Sequence, residues 1–148
     1  MKIYRGISDK HKGDPWASQH HAIYFTRDPR VAERYGKSGG VFEFELPDNL
    51  RISPTEELNK LLEESDYPEM AGDYSKANLD EAPIFGADPQ SESIAQNLNI
   101  HGVEDRKGNI EMLPGGWAEG INPKKLGTLE LEDLIALENM KHVRGRDY

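Results

Sequence analysis

From residue 41 to 46 the chain reads Val-Phe-Glu-Phe-Glu-Leu, placing Phe42, Phe44 and Leu46 on one face of a half-buried strand that Pro47 ends. Two apolar stretches upstream, residues 1–7 and 22–26, also read as strands. Ile3 and Tyr4 are good strand formers, and Gly6 permits a bend or a close backbone approach. The polar, Gly- and Pro-punctuated residues 8–21 between them form a loop. After Thr26 the pattern becomes helical. Asp28 suits the N-cap and Pro29 the first turn, Gly36 is placed to end the helix, and Val31, Ala32 and Tyr35 supply its apolar face. Ser53-Pro-Thr-Glu56 has the form of a capping box and predicts a helix to about Glu64. Residues 65–87 are irregular and read as an insertion, and Asp88-Pro89 predicts the start of a helix to about Leu98. Residues 100–105 and 109–113 read as two strands. A turn at Lys107-Gly108 would set Glu104 directly across from Glu111. A Gly-rich loop, 114–120, leads to a last strand over 124–131. Residues 132–143 then show helical spacing at Leu134, Ile135, Leu137 and Met140.

Some six short strands with helices inserted between them, and no regular βαβ alternation, predict one α+β domain over residues 1–148. Composition narrows the functions open to it. Of 148 residues, 36% are hydrophobic and 30% charged, and no apolar run approaches the roughly 18 residues a bilayer span needs. The opening MKIYRGISDK lacks the apolar stretch of a signal peptide, so a cytoplasmic protein with no membrane partner is expected. With no cysteine there is no disulfide framework, Cys-ligated metal or Cys nucleophile. Five histidines without ligand spacing give no metal site. A net charge of -9 argues against a nucleic-acid groove.

Candidate chemistry gathers at three places: Tyr4-Arg5-Gly6 on the first strand, Tyr24-Phe25-Thr26 on the second with Tyr35 on the following helix, and two late acids, Glu104 and Glu111, with Asp105 beside the first. Taken singly, each has an ordinary structural reading. An Arg-Gly pair is common surface and turn chemistry, tyrosines pack cores, and Ile110-Glu-Met-Leu113 resembles any half-exposed strand. His20 and His21 lie in the loop before the second strand. Trp16 and Trp117 lie in loops that either pack over the core or contact a ligand. Lys141, Arg144 and Arg146 read as solvated charges on the last helical segment.

Taken together, the residues resemble the ADP-ribosyltransferase superfamily, in particular its small bacterial and phage-borne members. These carry His-Gly or Arg-Gly on the first strand, a Tyr-x-Ser/Thr motif on the second, a tyrosine on the next helix and a late glutamate on a strand. Residues 23–35 match best, and residues 50–95 match weakly. The resemblance implies a split, curved β-sheet with inserted helices and NAD⁺ as co-substrate, without a metal. It implies mono-ADP-ribosyl transfer to a protein side chain with release of nicotinamide, in the setting of a toxin, an effector or a phage-encoded inhibitor of host defence. Tyr4, Arg5, Gly6, Tyr24, Phe25, Thr26 and Tyr35 would then bind NAD⁺, while Glu111 or Glu104, with Arg5, would serve catalysis. The chemistry is coherent: guanidinium suits the pyrophosphate, tyrosine faces suit the cationic nicotinamide, and a carboxylate stabilises an oxocarbenium-like ribose. Asn109 stands two residues before Glu111, where relatives that modify arginine carry Glu or Gln. Alternative activities of the same fold are an NAD⁺ glycohydrolase and an RNA 2′-phosphotransferase. A non-catalytic partner-binding module is a third alternative.

Overall fold

A computed structural model describes residues 1–11, 13–18 and 21–146, with side chains to residue 141. Seven strands and four α-helices are present among them, a mixed α+β protein as the residue pattern predicts. They form two compact units, each drawn from separated stretches of chain. The first takes residues 1–15, 26–46 and those from 121 on; the second takes 16–25 and 47–120.

In the first unit β1 (Lys2–Gly6) pairs antiparallel with β3 (Val41–Glu45), Ile3 opposite Phe44 and Arg5 opposite Phe42. The far side of β3 pairs with β7 (Lys124–Lys125). Thr26, the last residue of β2 (Ile23–Thr26), stands opposite Tyr4. The alternation in β3 holds, since Phe42, Phe44 and Leu46 are all buried. On the other face Tyr4, Ala32, Val41 and Leu126 form a cluster, with Leu131 and Leu134 packed against it. Helix α1 (Pro29–Tyr35) begins and ends as its sequence predicts. Asp28 accepts from the Arg30 amide, and the Gly36 N–H returns to the carbonyls of Ala32 and Glu33.

The predicted strand at 124–131 stops at Lys125, and helix α4 (Thr128–Arg146) begins three residues later. The Leu126 amide makes the final bond to Val41 O, and the Leu131 amide already bonds back to Gly127 O. Leu131, Leu134 and Ile135 share a helical i, i+3, i+4 face, and Glu130 lies in the first turn, where the helix dipole favours an acid. Lys141 is exposed, while the side chains of Arg144 and Arg146 lie outside the described residues.

The second unit holds β4 (Ile52–Pro54), parallel to β5 (Gly102–Glu104), which pairs antiparallel with β6 (Asn109–Met112). Its core joins Leu58 and Leu62 of α2 (Leu58–Glu63), Ile94 and Leu98 of α3 (Ser91–Leu98), and Phe85, Val103 and Leu113. The predicted capping box does not form. Parallel pairing with Val103 keeps Ser53 extended, its hydroxyl bonds Pro54 O, and α2 starts only after a 3-10 turn at Thr55–Glu57. Likewise α3 starts at Ser91, because Asp88 caps a turn through Gln90 N rather than the helix.

Between β1 and α1 the fit leaves no room for a side chain at position 6. A Cβ on Gly6 would overlap the Ala32 carbonyl oxygen and stand 2.5 Å from Gly36 N. The obstacles are backbone atoms and cannot rotate away. Gly6→Ala is therefore expected to destabilise the fold by about 3 kcal/mol or more, read from urea unfolding. A change below about 1 kcal/mol would show that α1 can lift off without cost.

A second test concerns His101, which joins the chain before β5 to the start of β4. Its Nδ1 accepts from Arg51 N at 2.9 Å, and its own amide donates to Arg51 O at 2.7 Å. Burial first, and Arg51 second, hold its pKa below the ordinary value of 6.5. The unfolded chain therefore takes up this proton before the folded one does. The stabilising effect is complete above pH 6.5 and is lost as pH falls through the lowered folded value. His101→Asn keeps an acceptor without a titrating ring. Its unfolding midpoint should fall less steeply between about pH 7 and 5, the range in which histidines ordinarily titrate, than that of the native chain.

Candidate functional site

Strand alternation separates the first-strand motif. Arg5 is buried at 9% exposure, with Nη1 donating to Pro15 O at 2.5 Å. Burial lowers its pKa to about 10, against a smaller opposing effect of Asp14, so the guanidinium remains charged at neutral pH. Tyr4 points to the opposite face and packs with Ala32, Val41 and Leu126. Burial, then Glu43, Glu138 and Glu45, raise the pKa of its phenol. Thr26 is buried and its Oγ1 accepts from Asp28 N at 3.1 Å, which sets the turn into α1. Tyr35, at the end of α1, is 48% exposed.

In the second unit the Tyr24 hydroxyl donates to Asn109 Oδ1 at 2.9 Å. Asn109 Nδ2 in turn donates to Asp105 Oδ2 at 3.1 Å. Phe25 is fully buried and meets Trp117 edge-on, with centroids 6.1 Å apart. Trp16 lies against the same indole at 6.1 Å, and Trp117 Nε1 is anchored on Leu113 O at 2.7 Å. The two tryptophans therefore form one aromatic group with Phe25 beneath. His21 is exposed and its amide donates to Gly86 O, while His20 lies outside the described residues.

The acids are not paired as the sequence suggests. Glu104 stands opposite Ile110, and Glu111 stands opposite Val103. The hairpin turns through residues 106–108, with Gly108 at φ 84 and the Asp105 amide bonded to Asn109 O. A three-residue loop with a left-handed third residue shifts the register by one from a two-residue turn, so Glu104 and Glu111 emerge on opposite faces. Glu104 is half-buried. Glu111 is 3% exposed, and its carboxylate accepts the amides of Ile84, Phe85 and Gly86 at 3.2, 3.2 and 2.7 Å. Asp105, 5% exposed, accepts the amides of Leu79, Lys107 and Asn109, each at 2.9 Å.

Both buried acids thus grip the segment that reads as an irregular insertion, at Leu79 and at 84–86. Residue pattern alone misses the bond between Tyr24 and Asn109 and the amides held by the two acids. The signal available in the sequence was a pair of acids flanking a Gly-containing turn.

No protein family, curated protein or solved structure compared with the chain matches it. Among the described residues no helix is long and apolar enough to cross a membrane, and no group of three His, Asp or Glu is placed to hold a metal ion.

The cradle around Glu111 gives a stability test. Glu111→Gln keeps the shape but replaces one acceptor oxygen with an NH₂ group facing amide donors. It should cost about 1–3 kcal/mol, the range for a buried donor left unpaired. Glu104→Gln, at a half-buried position, should shift stability by less than about 0.5 kcal/mol. Urea denaturation of both variants checks this, and equal stability would mean the cradle contributes nothing.

Proposed function

We propose that this chain is an NAD⁺-dependent mono-ADP-ribosyltransferase acting on a protein side chain in a cytoplasm, its own or that of a host, as a toxin, an effector or an inhibitor of host defence. The observation that carries the reading is the hydrogen bond from Tyr24 to Asn109. It joins the second-strand aromatic motif to the face of β6 that also bears Glu111, two residues on. A tyrosine ring beside a carboxylate is what a site needs to hold a cationic nicotinamide and to stabilise the ribose left when that ring departs. Arg5 adds a second support. Its guanidinium, charged at neutral pH, carries the fork of donors that a pyrophosphate pairs with.

The resemblance assigns the pyrophosphate to Arg5 and the nicotinamide to the rings of Tyr24 and Tyr35. The ribose C1′–N bond breaks, and nicotinamide leaves with the bonding electrons. A nucleophile of the acceptor then forms the new bond to C1′ and loses its proton to the carboxylate or to water. Glu111 supplies the charge that favours the transition state over bound NAD⁺, with Glu104 as the alternative on the other face. An acidic protein repels polyanions, which favours a protein acceptor over RNA.

A second reading, a partner-binding module without catalysis, is favoured by the commitment of both Glu111 oxygens to the amides of 84–86. Incubation with NAD⁺, with and without a cell lysate, separates the readings by nicotinamide release. Release only with lysate supports a transferase, release without it indicates a glycohydrolase, and no binding of NAD⁺ favours the module.

Arg5→Met, which keeps volume while removing charge and donors, should weaken NAD⁺ binding more than tenfold, or over about 1.4 kcal/mol. Stability should fall by about 1–3 kcal/mol as well, since the Pro15 carbonyl loses its buried donor. Calorimetric titration and thermal unfolding measure the two effects, and unchanged NAD⁺ affinity would remove Arg5 from the site.

A further inference from the structure

A cavity of about 350 Å³ opens in the second unit, lined by Arg51, Gln96, Asn99, His101, Gly115 and Gly116 among others. No carboxylate lines it, although the chain has 27 acidic residues against 18 basic ones. Its donors are held in place. Arg51 Nε donates to Asn99 O at 2.7 Å, which fixes one edge of the guanidinium and leaves both Nη groups without a hydrogen bond or ion pair to any described residue. His101 Nδ1 accepts from Arg51 N, so the proton of the neutral imidazole sits on Nε2, making that nitrogen a donor. The side-chain amides of Gln96 and Asn99 add two more donor groups at the rim.

We propose that this cavity binds the phosphoryl group of a small phosphomonoester. The Arg51 Nη groups would meet two phosphate oxygens as a fork, with His101 Nε2–H and the Asn99 and Gln96 amides on the others. The volume lies at the low end of the range for small-molecule sites, enough for a mononucleotide. A long polyanion would meet the repulsion of a net charge of -9, while a single phosphate is admitted by the local donor set. The cavity draws only on residues 51–116 and uses none of the residues assigned to NAD⁺, so it stands apart from the transferase reading.

The test is titration of the ¹⁵N-labelled full chain with inorganic phosphate and with 5′-AMP. Saturable shifts of the His101, Gly115 and Gly116 amides are expected with both, and tighter binding for AMP. Arg51→Gln, whose amide can still reach Asn99 O, should weaken both at least tenfold with an unchanged unfolding midpoint. Absence of saturable shifts at millimolar ligand, or equal binding by the native chain and Arg51→Gln, would overturn the site. Equal affinity for phosphate and AMP would overturn the ester assignment. Should Arg51→Gln fail to fold, Gln96→Glu at an exposed position of α3 places a repelling charge at the rim. It should also lose affinity at least tenfold, and unchanged affinity would equally overturn the proposal.

Discussion

Two carboxylates buried on one hairpin organise the second unit. Asp105 and Glu111 lie at 5% and 3% exposure, where an unsatisfied charge would cost several kcal/mol. Each is satisfied by three or more N–H groups, most of them on loop backbone. The dependence runs both ways. Residues 79–86 are neither helix nor strand; the amides of Asp80, Glu81 and Ala82 bond to Asn78, while those of Leu79, Ile84, Phe85 and Gly86 take their acceptors from the hairpin. Leu79 and Phe85 are thereby held in the core beside Leu58, Leu62 and Ile94.

The first unit rests on a steric constraint instead. Gly6 faces the carbonyl of Ala32 and the amide of Gly36, and Gly39 faces Ile7 O with equally little space. Backbone here packs on backbone, which brings α1 down on β1 and gathers Tyr4, Ala32 and Val41 into one cluster. The same arrangement gives Gly6 a complete structural role whether or not a ligand also approaches it. Arg5, on the opposite face, is buried with its Nη1 bonded to Pro15 O.

A functional reading of Glu111 has to accommodate its structural one. Its oxygens hold three amides, so any part it takes in catalysis is shared with holding residues 84–86 in place. Such a carboxylate is immobile, and preorganised charge is what stabilises a developing cation most effectively. In the proposed transferase, loss of the group would remove both effects, which is why stability and any turnover have to be measured on the same variants.

Local rules carried much of the fold. The α1 helix, with its Asp28 cap and Gly36 stop, and the alternating strand β3 depend on nearest-neighbour chemistry, and both are where the residue pattern puts them. The motifs Arg5-Gly6, Tyr24-Phe25-Thr26 and Glu111 were likewise legible as candidates. Tertiary structure decided what each side chain meets. Parallel pairing with β5 took Ser53 out of its capping box, because ladder bonds to a distant strand outweigh one cap. A single extra residue in the 106–108 turn reversed the face of Glu104 relative to Glu111, since side chains alternate with a period of two. The amides that Glu111 accepts, and the Leu79 amide on Asp105, lie more than twenty residues upstream in a stretch without periodicity, and no local pattern encodes a contact between a buried acid and distant loop amides. The residue types were set by the sequence; only the folded register, with its demand that every buried polar group be paired, determined which of them meet.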